Sequence, residues 1–393
     1  MIQDQYDLIV VGSGFCGSVI ARLAAEQCHK KVLVLEKREH IAGNMYDYFV
    51  NDFLVQKYGP HVFHTNDDKV FKFISKFELW DNYKLHYGVD LNGKCIPAPF
   101  GFKAIRLLYS QDEAEQLINS LKSVYVGRDS VSILELVQST DKRISDFANF
   151  LYENNYRLYA AKQWNLSPKE LDPSVIGRMP VILSDREYYF TDKYEALPKH
   201  GFTHFFYSLL KHQGIDIKLG MDATQCFKFD FNAGTCWFKD EKVTIPIVYT
   251  GPLEDLCANQ YTLPYRSLYF EYKIFDEKSF QDVALLTYPQ RYGYLRTTEY
   301  SKLTGKGDNI TTLVAFEYPI PYDKHAPKGN EPYYPILTEE NIKKHRYYVK
   351  QMKVFNNFYP CGRLADYKYY NMDQAVLRGF EVFEHLYNKY WND

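Results

Sequence analysis

Asp7-Leu8-Ile9-Val10-Val11-Gly12-Ser13-Gly14-Phe15-Cys16-Gly17 is the stretch that decides the fold. Residues 7–11 are short, apolar and end at glycine, the pattern of a buried strand. Residues 15–27 have helical spacing and Ala-rich packing, and residues 31–35 (KVLVL) read as a second buried strand closed by Glu36. This is a βαβ unit, the start of a doubly wound parallel sheet. Gly12, Gly14 and Gly17 match G-x-G-x-x-G, a weak signal alone but a specific one between a strand and a helix, with an acid 24 positions after Gly12. Gly12 permits the tight turn, Gly14 lets the backbone approach a pyrophosphate on the helix N-terminus, and Gly17 allows close helix–strand packing. Glu36 can accept ribose hydroxyls.

The motif itself does not separate FAD from NAD. The continuation Glu36-Lys37-Arg38-Glu39-His40-Ile41-Ala42-Gly43-Asn44 favours FAD, because a basic residue and a Gly-rich bend after the ribose acid are typical of FAD-binding two-domain folds. Arg38 is equally readable as a solvated surface charge.

Working outward, 393 residues suggest two or three domains. Hydrophobic residues make up 46% and charged residues 24%, ordinary for a soluble globular protein. A net charge of −2 without a polybasic run gives no reason to expect a nucleic-acid partner. Seven scattered Cys, with no CxxC pair and no His cluster at zinc spacing, read as reduced thiols of a cytoplasmic protein without a metal site. Neither a signal peptide nor an 18-residue apolar run is visible, so no stable membrane insertion is expected. The 36 Tyr and 27 Phe are many, and Tyr suits a pocket for a base, a ribose and a sugar as well as it suits core packing.

Segments 66–79, 110–124, 132–139 and 144–163 read as helices. Segments 83–98 and 265–318 alternate β-branched and aromatic residues and read as a mostly antiparallel sheet. Residues 216–219 and 245–250 look like returns to the first sheet, and residues 374–390 like a closing helix. The expected fold is α/β: a Rossmann-like FAD-binding domain, a helical insertion and a mostly antiparallel sheet domain. The domains interleave. Residues 1–82, 200–262 and 335–393 form the FAD-binding domain. Residues 103–180 form the helical domain, with a mobile lid at 165–180. Residues 83–102, 181–199 and 263–334 form the sheet domain.

Tyr58-Gly59-Pro60-His61-Val62-Phe63-His64-Thr65 resembles the YGxHxFHT segment of UDP-galactopyranose mutases. Lys162-Gln163-Trp164 resembles the family's KQW, Arg178-Met179-Pro180-Val181 its RxPV, and Tyr249-Thr250-Gly251-Pro252 its YTGP. Tyr265-Arg266-Ser267-Leu268, Glu331-Pro332-Tyr333-Tyr334-Pro335 and Gly362-Arg363-Leu364 with Tyr369 and Met372 continue the series in order across nearly the whole chain. The resemblance implies an isomerase that interconverts pyranose and furanose forms of a nucleotide-linked hexose, active with reduced FAD. Flavin N5 attacks the anomeric carbon, and the ring opens through an iminium and recloses on another hydroxyl. Such chemistry explains why no Ser–His–Asp set or metal motif stands out. The resemblance also implies a homodimer.

By the same resemblance Arg178 and Arg296 clamp the diphosphate, a task suited to two guanidinium forks. Tyr189, Tyr334 and Tyr369 touch the phosphates, Tyr159 stacks on the base, and Trp164 packs beside the nucleotide. His64 stands where the family places a backbone carbonyl near the flavin and is grouped with the catalytic residues, while His61 lies near the flavin. Neither is assigned as a general base. Phe15, Lys37, Asn44, Arg363 and Met372 join Gly12, Gly14, Gly17 and Glu36 as expected cofactor contacts.

The chain departs from the family beside the base and the sugar. Leu158 and Ala160 replace Gly and Thr, Ile182 replaces an arginine, and Thr287 and Asn371 replace an Asn and an Asp. Leu85 stands where an Asn often meets sugar hydroxyls, which makes it a substrate-binding candidate. A site without that polar partner suits a sugar without that hydroxyl, since an unpaired buried OH costs about 1–3 kcal/mol. The sequence therefore favours dTDP-fucopyranose slightly over UDP-galactopyranose. An FAD-dependent oxidoreductase of the amine-oxidase type is the alternative: it shares the first βαβ unit and the closing Gly-Arg helix, but the middle blocks do not fit it.

Overall fold

A computed structural model describes residues 2–164, 179–257, 261–291, 293–326 and 330–392, with the side chains of residues 163 and 164 outside the description. Its first sheet has, among the described residues, five strands in the order Ile215–Lys218, Val32–Leu35, Leu8–Val11, Ile247–Tyr249, Phe358–Pro360, every neighbouring pair parallel. Leu8–Val11 lies at the centre, with Ile9 opposite both Leu33 and Ile247. Both predicted returns to this sheet are present. The inner strands Val32–Leu35, Leu8–Val11 and Ile247–Tyr249 are apolar because both faces are covered, while the edge strand Ile215–Lys218 alternates and exposes Asp216 and Lys218. Leu8, Val10, Val32 and Val34 pack with Val19, Phe205 and Val376 in one core. Ile9, Leu33 and Leu35 pack on the other face with Phe227, Phe238, Tyr348 and Met352.

The helix Phe15–Gln27 follows the glycine turn, and the closing helix Met372–Leu386 lies against it. Their approach is set by missing side chains. A Cβ on Gly17 would lie 2.1 Å from the carbonyl oxygen of Gly12, and one on Gly379 would lie 3.0 Å from Val19. Asn371 is the N-cap of the closing helix in a capping box with Gln374, so the exchange of Asp for Asn there keeps a good cap.

A second, seven-stranded sheet among the described residues runs Tyr334–Pro335, Tyr265–Phe275, Thr312–Pro321, Arg296–Glu299, Leu285–Thr287, Tyr87–Leu91, Lys94–Ala98. Its pairs are antiparallel except Leu285–Thr287 with Tyr87–Leu91, which run parallel. A small antiparallel sheet of Phe63–Thr65, Tyr194–Pro198 and Trp80–Asn82 stands beside these layers.

The helices Phe102–Leu108, Gln111–Val124, Ile133–Val137 and Lys142–Leu151 form the helical region. The single helix expected over 144–163 is instead two, Lys142–Leu151 and Arg157–Trp164, joined by a π-helical turn at Tyr152–Tyr156. The expected helix over 66–79 is the shorter Asp68–Ile74, capped by Asp67. No helix among the described residues is long and apolar enough to cross a membrane.

The Gly17 contact makes a direct prediction. Ala gains up to about 1 kcal/mol over Gly in a helix. The new methyl, however, meets backbone that has nowhere to go, and overpacking of this kind costs about 1–3 kcal/mol. Gly17→Ala is therefore expected to lower the urea midpoint at an unchanged m-value. An unaltered midpoint would mean that the helix can shift freely on its strand.

Candidate active site

A cavity of about 420 Å³ follows the glycine turn, and its walls include Gly12, Gly14, Phe15, Gly17, Glu36, Lys37, Asn44, Arg363 and Met372. Gly12 has φ +100°, a conformation open to glycine, and any Cβ there would overlap the Thr250 hydroxyl. A Cβ on Gly14 would meet nothing within 4 Å, so the loop is open where it begins the helix. The first N–H groups of that helix have no intrahelical acceptor and point out of its end.

The acid closing the second strand is fixed from two sides. Glu36 Oε2 accepts from the Ser13 N–H (3.0 Å) and the Ser13 hydroxyl (2.7 Å), and Oε1 accepts from the Arg38 N–H (3.0 Å). Arg38 is not a solvated charge: its Nη2 donates to Asn44 Oδ1 (3.0 Å) and Glu331 Oε2 (2.8 Å), and its guanidinium lies 4.3 Å over the Tyr58 ring. Lys37 is half exposed, 3.9 Å from Glu331. An open glycine loop, a helix N-terminus and a fixed acid along one elongated wall fit FAD.

A second cavity, of about 550 Å³, adjoins the first, and Arg363, Tyr370, Asn371 and Met372 line both. Its walls bring together Arg296, His64, Tyr159, Tyr189, Tyr334, Tyr369 and Leu85. His61, expected at the cofactor, is placed on this wall. Arg178 and residues 165–178 of the expected lid at 165–180 lie outside the described residues, as does the Trp164 side chain.

Arg296 opens the strand Arg296–Glu299, whose register puts it opposite Glu317. Glu317 Oε2 accepts from Arg296 Nε (3.1 Å) and Nη2 (2.5 Å). The carboxylate raises the guanidinium's pKa above its ordinary value against the opposing effect of burial, so the charge is permanent. The Arg363 guanidinium lies 5.1 Å over Tyr334 and 5.5 Å over Tyr369, whose rings stack on each other at 5.3 Å. Among the described residues, Arg266, buried in the strand Tyr265–Phe275, completes a set of three guanidinium groups against one carboxylate on this wall. That balance favours an anionic ligand.

His61 is neutral here. Burial, with Arg363 and Arg296 nearby, pulls its pKa down to about 3. Its Nδ1 donates to the Gly59 carbonyl (2.7 Å), leaving Nε2 as an acceptor. His64 Nδ1 is 2.9 Å from Asp192 Oδ2, and its ring stacks on Phe190 at 3.9 Å.

The π-helical turn leads into the face that carries Asn155, Tyr156, Tyr159 and Ala160, all on the cavity wall. Beyond it, the Lys162 ammonium donates to the carbonyls of Tyr288 (3.0 Å), Arg291 (2.6 Å) and Tyr294 (2.6 Å). It ties the helix bearing Tyr159 to the loop that enters Arg296.

Sequence reading missed Arg266, Glu317, Asp192 and Asn155. Arg266 stood inside a quoted block without a role. Glu317 and Asp192 act through strand pairing and loop contacts that no local spacing reveals. Thr287, one of the exchanged positions, is fully buried and donates to the Gly88 carbonyl (3.2 Å) within the sheet.

The model of the UDP-galactopyranose mutase family matches residues 154–369, and that of an NAD(P)-binding Rossmann-like domain matches residues 10–77. A UDP-galactopyranose mutase of Mycoplasma genitalium is 33% identical over 98% of this chain and 95% of its own. A dTDP-fucopyranose mutase of Escherichia coli is 28% identical over 97% of this chain and 98% of its own. A crystal structure of reduced UDP-galactopyranose mutase shares the fold, with a TM-score of 0.70 at 15% identity, covering 98% of this chain and 96% of that one. A putrescine oxidase variant superposes less closely, with a TM-score of 0.57 at 11% identity over 98% of this chain and 99% of the other. The anion-favouring tyrosine cavity thus shares a wall with a dinucleotide cavity in a chain that aligns end to end with pyranose mutases, and the chain belongs to the UDP-galactopyranose mutase family of isomerases.

Proposed function

We propose that the enzyme converts UDP-galactopyranose to its furanose isomer with FAD in the first cavity and the nucleotide sugar in the second. The observation that carries this reading is the shared wall of Arg363, Tyr370, Asn371 and Met372, which puts the two ligands side by side. Gly12, Gly14, Gly17 and Glu36 hold the FAD pyrophosphate and ribose. In its reduced form FAD supplies a nucleophilic N5 toward the anomeric carbon.

The protein's own residues do the rest. Arg296 binds the diphosphate through the Nη1 side, since Glu317 takes Nε and Nη2. Tyr334 and Tyr369 donate hydroxyls to the same phosphates, and Tyr189 closes the sugar end. Tyr159 offers a flat face to the base. Neutral His61 presents an acceptor without adding charge near the departing diphosphate. Arg178 is the second clamp. The tyrosine rings exclude water from the reacting sugar.

A second reading, a dTDP-6-deoxy sugar as substrate, is favoured by Leu85. It is 5% exposed on the cavity wall and offers no hydrogen bond to a primary hydroxyl. The two relatives named UDP-galactopyranose mutase that match this chain at 33% and 32% identity, against 28% for the fucose enzyme, put UDP-galactose first.

Incubation of reduced and oxidised enzyme with UDP-galactose, with products resolved by chromatography, tests the function. Furanose product is expected from the reduced enzyme only. Equal turnover in both states removes the nucleophilic flavin from the reading.

Arg296→Ala is expected to lower kcat roughly 10²-fold, the scale of losing one donor to developing charge. Steady-state kinetics decide the point: a raised KM at unchanged kcat would make Arg296 a binder that does not assist departure.

The substrate is settled by kcat/KM for UDP-galactose and dTDP-fucose in wild type and in Leu85→Asn. UDP-galactose is expected to lead in the wild type. The asparagine should widen that lead by about tenfold, the value of one hydrogen bond to the exocyclic hydroxyl. A wild-type preference for dTDP-fucose transfers the assignment to the second reading. An unchanged ratio in the variant removes Leu85 from the sugar.

A further inference from the structure

Away from both cavities, three side chains meet at the edge of the small antiparallel sheet. Its register pairs Ala196 with Asn82, Leu197 with Asp81 and Pro198 with Trp80. Continued two residues further, the same register sets His200 opposite Glu78. His204 lies in the first turn of the helix Phe202–Leu210, and its ring centre is 5.1 Å from that of His200, which stands just before the helix. Glu78 Oε1 lies 2.9 Å from His200 Nδ1, and Glu78 Oε2 lies 2.5 Å from His204 Nδ1. One ligand atom from each residue falls within 4.8 Å of the other two.

We propose that Glu78, His200 and His204 form a binding site for one divalent transition-metal ion, with zinc as the natural occupant. Two imidazole nitrogens and one carboxylate oxygen are a donor set suited to zinc, and three protein ligands leave a fourth position for water. The Glu78 side chain is 2% exposed, while the imidazoles are 53% and 52% exposed. The anionic ligand is therefore fixed and the two rings can adjust. With zinc–ligand bonds of about 2.0–2.2 Å the ligand atoms stand roughly 3.3–3.5 Å apart, so the half-exposed rings would draw back slightly from the carboxylate as the ion enters between them.

The carboxylate is also held by the backbone. The Leu79 N–H donates to Glu78 Oε1 (2.8 Å), and the Lys199 N–H donates to the Leu79 carbonyl (2.8 Å), stitching the two ligand-bearing segments together. Asp47 fixes the helix start by accepting from the Phe202 and Thr203 N–H groups (2.6 and 2.8 Å). The same helix packs Phe205 and Phe206 against Phe15 of the nucleotide-binding helix, at 5.7 and 4.8 Å between ring centres. A bound ion would tie the sheet edge to this helix and stiffen the support of the first cavity. Sequence reading passed over the site: His200 and His204 do have the H-x3-H spacing of a zinc pair, but the carboxylate that completes the set lies 122 residues before His200.

The test uses tag-free, FAD-loaded enzyme stripped with EDTA, titrated calorimetrically with zinc chloride and followed by thermal unfolding. The expected result is one ion per chain with a micromolar Kd and a rise in Tm that EDTA reverses. The His200→Ala/His204→Ala double variant, whose altered side chains are half exposed, should fold and lose this ion. Glu78→Gln removes the anionic ligand itself and should weaken binding by about 100-fold or more, beyond the 10–100-fold scale of losing an outer-shell partner. Two outcomes overturn the proposal: no binding below about 100 μM zinc (a ΔG° near −5.5 kcal/mol), or unchanged stoichiometry and affinity in the double variant.

Discussion

The contact between the helix Phe15–Gln27 and the turn before it constrains everything built around it. With no side chain at Gly17, the helix descends onto the Gly12 carbonyl to a distance at which a Cβ would stand 2.1 Å from that oxygen. This approach points the helix N-terminus along the cavity floor and brings its far face within reach of Met372–Leu386 at Gly379. The second helix then places Met372 in the wall common to both cavities. The cavity along the glycine turn at one end of a parallel sheet, and the arginine- and tyrosine-lined cavity adjoining it, are thus consequences of one close packing.

Most of the charges along that axis are held by a fixed partner. Glu36 is pinned by Ser13, Arg38 is neutralised by Glu331, and Arg296 is neutralised in part by Glu317. Each pairing fixes a side chain that would otherwise lose rotamer freedom on binding. The Arg296–Glu317 pair also orients the guanidinium, since a single carboxylate oxygen occupies one edge of the fork. Cross-strand register makes this possible, and it requires the long pairing of Tyr265–Phe275 with Thr312–Pro321 to hold the central strands in place.

The parallel core was legible because its strands are apolar on both faces and the turn glycines obey a local geometry. The return at Ile247–Tyr249 was legible for the same reason, and the one at Ile215–Lys218 from the alternation of Ile with polar residues that marks an edge strand. The helices Phe202–Leu210 and Glu339–Met352 escaped the reading. In the first, aromatic residues at Phe202, Phe205 and Phe206 mimic strand composition, and in the second a strongly polar sequence buries only Asn341, His345, Tyr348 and Met352. The π-helical turn was unreadable because an unbroken helical pattern gives no sign of a wider turn. At the site, Arg296, Tyr159, Tyr189, Tyr334 and Tyr369 were found through motif resemblance, and the structure gathers them in one cavity. Glu317 and Asp192 depend on residues that meet only through pairing across the chain.

The sharing of Arg363 between the cavities explains the state of His61. Arg363 donates to the Tyr333 carbonyl (3.2 Å) and the Tyr370 carbonyl (2.7 Å), neither of which neutralises its charge. That charge, added to the cost of burial, keeps the imidazole uncharged at neutral pH. The uncharged ring leaves Nε2 as a hydrogen-bond acceptor among the guanidinium groups. The same logic accounts for the tyrosines. Burial lifts the phenol pKa of Tyr159, Tyr189 and Tyr334 above the ordinary value, so each remains a neutral donor beside the guanidinium groups. Among the described residues, Arg266, Arg296 and Arg363 carry fixed positive charge on the cavity wall, at positions set by the sheet and by the wall beside the nucleotide loop.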